Sequence, residues 1–200
     1  MRNPVDRLAS RLPQPWRTLV DWVVTIVAAV ALVLAIKAWI VNPYRIPSPS
    51  MEPTLHCAGE PGCEGGQFSD RVLANRFLYH LREPERGDIV VFRTPPLAAE
   101  RCGAGGTFVK RLVALPGETW RMEDGVVFVN GRRLVEPYLA PGRRGADLEA
   151  PRTVPEGHYV MLGDNREQSC DSREWGAVPR ENLIGKVVMT YWPPGRISLR

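Results

Sequence analysis

The sequence predicts a mainly β fold preceded by one transmembrane helix. An apolar run lies near the N-terminus, and the rest of the chain alternates between short β-branched segments and turn residues. The turns draw on 18 Gly and 19 Pro residues. Short strands separated by Gly- and Pro-rich turns are typical of all-β domains. A length of 200 residues suits one domain with a small appendage.

The apolar run extends from Trp22 to Ile36, with Thr25 as its one polar residue, and reaches 20 residues when counted on to Val41. At ~1.5 Å per residue, a helix of that length covers the ~30 Å core of a bilayer. A cleaved signal peptide would have a shorter apolar core followed by a small-residue cleavage site. A buried soluble helix would have one polar face. We therefore predict an uncleaved transmembrane anchor at residues 19–41.

The charges that flank this run predict its orientation. Four arginines precede it, whereas Lys37 and Arg45 follow it. The flank richer in basic residues usually stays in the cytoplasm. We therefore expect a cytoplasmic segment at residues 1–18 and an extracytoplasmic domain at residues 42–200. A separate observation concerns nucleic acids. The net charge is +4, but the basic residues are scattered along the sequence. We therefore expect no nucleic-acid partner.

Four cysteines, Cys57, Cys63, Cys102 and Cys170, lie in the predicted exported part. The sequence allows three pairings. Cys57 and Cys63 are close together, which favours a small disulfide loop and leaves Cys102 to pair with Cys170. A zinc site is the alternative, but paired C-x-x-C motifs are missing and histidine is scarce. An oxidising compartment favours disulfides over a metal site. We expect neither a metal nor a cofactor.

The exported part contains several predicted strands. They are Arg71 to Leu73, Asp88 to Phe92, Thr107 to Leu115, His158 to Leu162 and a last strand that ends at Trp192. Residues 119–157 are interpreted as a small accessory insertion. Its hairpin would be formed by Val126 to Val129 and Arg132 to Tyr138, after turn dipeptides. The charged, Gly- and Pro-rich stretch from Leu139 to Pro155 is interpreted as a mobile loop.

Lys110 is unusual because it lies inside an apolar strand. Alternation places it on one face with Phe108 and Leu112, and places Val109 and Arg111 on the other face. The common interpretation is an edge lysine with its stem packed and its ammonium in water. The functional alternative is a buried, neutral lysine, whose pKa lies several units below ~10.4.

The stretch from Pro47 to Leu55, PSPSMEPTL, is a candidate for a nucleophile. Ser48 and Ser50 lie among prolines that fix the backbone in an extended, rigid form. A serine nucleophile needs a base, and the three histidines have no partner motif. The S-x-x-K motif is absent after Ser50. A neutral lysine on a distant strand can replace histidine, and Lys110 is the candidate.

Four stretches, PSPSMEPTL, RGDIVVF, FVKRLVALPGE and GDNREQSCDSREWGAVP, follow the apolar run in this order. They resemble the sequence boxes of type I signal peptidases (leader peptidases), a Ser–Lys dyad serine protease family. The resemblance implies a β-rich catalytic domain of coiled antiparallel sheets with a small inserted β region. It also implies a membrane-bound endopeptidase that removes signal peptides from exported pre-proteins through an acyl-enzyme. Cleavage would follow small residues at positions −1 and −3. The enzyme would sit in the bacterial cytoplasmic membrane near the secretion translocon.

The resemblance also assigns roles to individual positions. Ser50 matches the nucleophile and Lys110 the general base, while Ser48 matches an oxyanion donor. Ser169 matches the serine that orients the lysine. The remaining matches are the bracing pair Asp171 and Arg173, the structural residues Asp164 and Arg166, and the substrate pocket of Tyr44, Ile46, Met51, Phe108 and Val109. The sequence departs from the family pattern at Pro49 and Ala114; no loss of activity is expected from Pro49, because the oxyanion donor is the Ser50 N–H.

Two alternatives remain open at this point. A self-cleaving Ser–Lys protease of the repressor type would carry a DNA-binding helix-turn-helix in place of the predicted anchor. A membrane-anchored β domain that acts as a scaffold of the secretion machinery would lack Ser50 or Lys110, and both residues are present.

Overall fold

The computed structural model describes residues 14–39, 41–103 and 105–200. The chain divides into two compact units, Met1–Ile40 and Val41–Arg200. In the first unit, helix α1 extends over Gln14–Trp39 and contains the apolar run. Most of the predicted cytoplasmic segment, residues 1–13, and residue 40 of the predicted anchor lie outside the described residues. Within the described ranges, no helix qualifies as long and apolar enough to span a membrane.

The second unit is mainly β. Its strands are β1 (Val41–Arg45), β2 (Arg71–Asn75), β3 (Ile89–Arg93), β4 (Thr107–Ala114), β5 (Thr119–Glu123), β6 (Val126–Val129), β7 (Arg132–Arg133), β8 (Glu149–Thr153), β9 (His158–Leu162), β10 (Val178–Pro179), β11 (Leu183–Trp192) and β12 (Ser198–Leu199). Short α-helices lie at α2 (Leu78–Leu81), α3 (Leu97–Cys102) and α4 (Ser172–Trp175), and 3₁₀ turns at Pro49–Met51, Arg166–Gln168, Arg180–Asn182 and Pro194–Arg196.

The larger sheet has the antiparallel strand order β1-β2-β11-β3-β4-β9-β10, with β12 paired to β11. Alternation along β3 explains how the sheet forms two cores. Val90 and Phe92 enter one apolar cluster, whereas Ile89 and Val91 enter another on the opposite face. Since successive side chains of a strand point to opposite faces, an unbroken apolar strand indicates a sheet covered on both sides. The predicted mainly β fold is confirmed.

The smaller sheet has the order β7-β6-β5-β8 and corrects two sequence predictions. The predicted hairpin is larger than expected, because Glu149–Thr153 forms a strand that pairs with β5. The interpretation of residues 139–155 as a mobile loop is therefore wrong for residues 149–153. Strand β8 is mostly exposed, so its sequence lacks apolar alternation and backbone pairing to β5 defines it. The buried side chains of this region include Trp120, Met122 and Val127.

Candidate active site

Ser50 lies in the 3₁₀ turn Pro49–Met51 and is buried, with 8% of its surface exposed. Its Oγ lies 3.2 Å from Ser48 Oγ. Asn165 anchors the turn, because its backbone N–H donates to Ser50 O at 3.1 Å and its Nδ2 donates to Pro49 O at 3.1 Å. A proline suits the first position of a helical turn, where no N–H partner is needed. The departure at Pro49 is thus compatible with the local backbone.

Lys110 lies on β4 opposite Val90 and is 2% exposed. The alternative of an edge lysine with its ammonium in water is therefore wrong. Its Nζ lies 5.7 Å from the centroid of the Phe108 ring. Burial, which disfavours the charged form, lowers the pKa of Lys110 to about 8; the carboxylates of Asp171 and Asp164 oppose this shift.

Both of those carboxylates already have a guanidinium partner. Arg111 Nε and Nη2 donate to Asp164 Oδ1 and Oδ2 at 2.8 and 2.6 Å. Arg173 Nε and Nη2 donate to Asp171 Oδ1 and Oδ2 at 2.8 and 2.9 Å. Bidentate pairing with a guanidinium offsets the negative charge of each carboxylate. Desolvation therefore has the larger effect on the pKa of Lys110. Sequence reasoning did not single out Arg111 as a site residue, although a second basic residue in an apolar strand was a signal for it.

The loop of residues 163–173 brings further predicted residues to the site. Asp171 Oδ2 accepts hydrogen bonds from Gly163 N at 3.0 Å and from Ser169 Oγ at 2.7 Å. The Ser169 hydroxyl thus donates to Asp171, and the lysine-orienting role that the resemblance assigns to Ser169 stays a prediction. Arg166 is buried, forms an ion pair with Glu136, and donates from Nε to Gly163 O at 2.8 Å.

A cleft of about 390 Å³ contains the candidate nucleophile and base together. All five residues predicted for the substrate pocket line it, together with Ser48, Ser50 and Lys110. Its other lining residues were not predicted: Arg45, Pro47, Cys102, Thr107, Gln168 and Cys170. Ser169, Asp171 and Arg173 do not line this cleft. The apolar walls account for the desolvation of Lys110.

The four cysteines form two disulfides, Cys57–Cys63 and Cys102–Cys170, so the zinc alternative is wrong. Glu52, His56 and Glu64 also lie close together, with ligand atoms within 4.8 Å of one another. Glu52 is engaged in the fold, however. Its Oε1 accepts the backbone N–H groups of Cys57 and Glu64 at 2.9 Å each, and its Oε2 lies 2.6 Å from His56 Nδ1. Glu52 thus links the two ends of the Cys57–Cys63 disulfide loop through hydrogen bonds.

The chain is similar to proteins of one known family. Residues 19–192 match the family described as signal peptidase, peptidase S26. A probable signal peptidase I-2 of Synechocystis is 40% identical over 92% of this chain and 78% of its own length. A signal peptidase I of Leptolyngbya laminosa is 35% identical over 98% and 91%. A solved signal peptidase I from Enterococcus faecalis is 34% identical and covers 53% of this chain and 97% of its own, with a TM-score of 0.43.

The matches define the class of protein first: the chain is a serine peptidase, a hydrolase. The chain belongs to the signal peptidase family, peptidase S26. Its reaction is the removal of signal peptides from pre-proteins. The resemblance drawn from the four sequence stretches is therefore confirmed.

Proposed function

We propose that the chain cleaves signal peptides from exported pre-proteins with Ser50 as nucleophile and Lys110 as general base. The observation that carries this proposal is the buried Lys110, whose pKa is lowered to about 8 in the cleft that it shares with Ser50. A general base works best when its pKa lies near the working pH. Asp164 and Asp171, each paired with an arginine, raise the pKa of Lys110 less than burial lowers it.

The reaction follows from these positions in two stages. Ser50 Oγ attacks the carbonyl carbon before the cleavage point, and Lys110 Nζ accepts the hydroxyl proton. The tetrahedral intermediate then breaks its C–N bond as Lys110 gives that proton to the leaving amine of the mature protein. The signal peptide stays bound to Ser50 as an ester. Water attacks this ester and gives a proton to Lys110, which returns it to Ser50 Oγ as the signal peptide leaves.

The negative oxygen of each intermediate needs hydrogen-bond donors. The Ser50 N–H and the Ser48 hydroxyl are the proposed donors. In the free enzyme Ser48 Oγ lies 3.2 Å from Ser50 Oγ, so a short rotation redirects its hydroxyl to an oxygen bound beside Ser50. Donors arranged before the reaction stabilise the charge that develops in the transition state. Ser169, held by Asp171, is proposed to orient Lys110.

The pre-protein is proposed to bind as an added β-strand. The β4–β9 ladder starts at Arg111, which leaves the other edge of Thr107–Lys110 without that strand. The extended segment from Tyr44 to Ser48 lines the same cleft. A peptide between them would take main-chain hydrogen bonds. Small residues at positions −1 and −3 are proposed to pack against the apolar residues that line this cleft beside Ser50.

The site is proposed to work at the outer surface of the bacterial cytoplasmic membrane, near the translocon. The apolar sequence from Trp22 to Ile36 supports an anchor at residues 19–41. In this arrangement residues 1–18 are cytoplasmic and residues 42–200 form the extracytoplasmic catalytic domain. Signal peptides lie in the same bilayer, so the anchor limits the search for substrate to a plane. Family membership disfavours both the repressor-type protease and the inactive scaffold.

The proposal is tested by cleavage of a model pre-protein by the full chain in detergent. Ser50→Ala removes one hydroxyl and should lower kcat by at least roughly a thousandfold. The matched control is Ser198→Ala, because the Ser198 hydroxyl contacts Arg196 O at 3.4 Å and does not line the cleft. Wild-type turnover in Ser50→Ala would rule out Ser50 as nucleophile.

A further inference from the structure

Residues 136–147, here called the strap, follow β7 and lead into β8 of the smaller sheet. Two contacts fix the strap on the loop of residues 163–173. The Arg143 carbonyl accepts the Arg166 N–H at 3.0 Å, and Glu136 forms an ion pair with Arg166. At its far end the strap reaches the same loop again, where Asp147 Oδ2 pairs with Arg173 Nη1. The strap therefore contacts the loop at Arg166 and Arg173, on either side of Ser169 and Asp171.

The strap is also linked to the segment that carries Ser50. Arg143 forms an ion pair with Glu64. The Glu64 N–H donates to Glu52 Oε1 at 2.9 Å, and the Glu52 N–H donates to Pro49 O at 3.0 Å. The two segments of the proposed active site thus share one scaffold.

The smaller sheet supports the strap from behind. The Gly125 N–H, in the turn between β5 and β6, donates to Asp147 O at 3.2 Å. A Cβ on Gly125 would overlap the carbonyl oxygens of Arg144 and Gly145, so this turn packs directly on the strap backbone. The accessory sheet consequently holds Asp147 at a defined position.

Arg173 distributes its nitrogen atoms between two carboxylates. Its Nε and Nη2 bind Asp171, while its Nη1 binds Asp147. The Nη2 atom also donates to the carbonyl oxygens of Arg166 and Ser169, each at 2.8 Å. The Arg173 side chain is 7% exposed and that of Asp147 is 45% exposed. Asp147 is thus the outer anchor of a buried guanidinium that positions Asp171, and Asp171 in turn accepts the Ser169 hydroxyl.

We propose that Asp147 is a positioning residue for the peptidase reaction, acting through Arg173 and Asp171 on Ser169. The proposal rests on the function proposed above, in which Ser169 orients Lys110. It gives the accessory region a role in catalysis, since that region supplies Asp147. Neither Asp147 nor Arg173 lines the cleft, so the effect falls on the chemical step rather than on substrate binding.

The test is Asp147→Asn in the full chain, assayed with a model pre-protein in detergent. Asparagine keeps the size and the backbone contact but removes the charge that holds Arg173 Nη1. We expect kcat to fall about tenfold, because a displacement of about 1 Å near reacting groups costs up to about 100-fold. KM and the thermal midpoint should stay close to wild type. Asp147→Glu, which restores the carboxylate, should recover most of kcat.

The matched control is Glu123→Gln. Glu123 lies on the same sheet, and its ion pair, at 2.5 Å, is with Arg121 on its own strand rather than with the loop of residues 163–173. An equal loss in Glu123→Gln, unchanged kcat in Asp147→Asn, or a kcat loss that follows loss of folded protein would each overturn the role of Asp147. Failure of the wild type to cleave pre-protein would instead overturn the proposed function itself.

Discussion

Gly163 leaves no room for a side chain next to Ser169. A Cβ on Gly163 would come 2.5 Å from Ser169 Cβ and from Ser50 O, and closer still to Ser169 Oγ. The backbone carrying the candidate nucleophile and the hydroxyl held by Asp171 therefore meet at this glycine. The φ angle of Gly163 is not positive. Glycine is therefore required here for lack of space and not for its backbone conformation.

Gly163→Ala should therefore impair the site. The added methyl group must displace Ser169, the Ser50 backbone or both, and we expect kcat to fall at least roughly tenfold. The control is Gly195→Ala, because a Cβ at Gly195 meets nothing within 4 Å. Pre-protein cleavage and the thermal midpoint of both variants provide the comparison. A Gly163→Ala enzyme with wild-type kcat would mean that the close approach at Gly163 has no part in catalysis.

Lys110→Arg should be as inactive as Lys110→Ala. The proposed base must release its proton, and arginine retains its proton in proteins at any working pH. Lys186→Arg is the control, because Lys186 Nζ lies 2.7 Å from Asp88 Oδ1 in an ion pair that arginine can keep. Substantial cleavage by Lys110→Arg would exclude Lys110 as the general base.

The wild-type rate should depend on pH through Lys110. Burial depresses the pKa of this lysine to about 8, so its neutral, active form predominates above that pH and becomes scarce below it. We expect kcat/KM to fall about tenfold for each pH unit below about 8. A pH series of initial cleavage rates measures this slope. A rate that stays level down to pH 6 would contradict a titrating lysine base.

Ser48→Ala should lower kcat with little change in KM. A donor directed at the oxyanion acts mainly in the transition state, and its loss costs ~2.7–4 kcal/mol, or roughly 100- to 1000-fold in kcat. Steady-state kinetics beside Ser198→Ala separate the two constants. A rise in KM alone would assign Ser48 to substrate binding.

The disulfide Cys102–Cys170 should matter more for stability than Cys57–Cys63. The two bridges join residues 68 and 6 positions apart. Chain entropy then predicts stabilisation of roughly 4 and 2 kcal/mol respectively. Paired Cys→Ser variants should show this order in their thermal midpoints, and mass mapping of non-reduced digests should recover both bridges. Free thiols at Cys102 and Cys170 would contradict this pairing.

Local patterns in the sequence were sufficient for the strands next to the site. The apolar alternation of residues 107–115 predicted β4, placed Lys110 and Arg111 on opposite faces, and left the burial of Lys110 as one of two alternatives. The four sequence stretches identified the family, because their residue types and order are specific to it. These features depend on neighbours in the chain, which is why sequence reasoning found them.

Contacts between distant segments were decided only by the tertiary structure. Three features of the site depend on residues from separate parts of the chain. They are the burial of Lys110, the ion pair of Arg111 with Asp164 and the ion pair of Arg173 with Asp147. No periodicity predicts such partners, since a charged residue in a loop looks the same whether it is solvated or paired. Strand β8 escaped prediction for a related reason: it is mostly exposed, and backbone pairing to β5 rather than apolar alternation forms it. The sequence by itself determined which chemical groups are available for the reaction. The tertiary structure determined which of these groups are buried and which form ion pairs, because burial and ion pairing depend on contacts between distant segments.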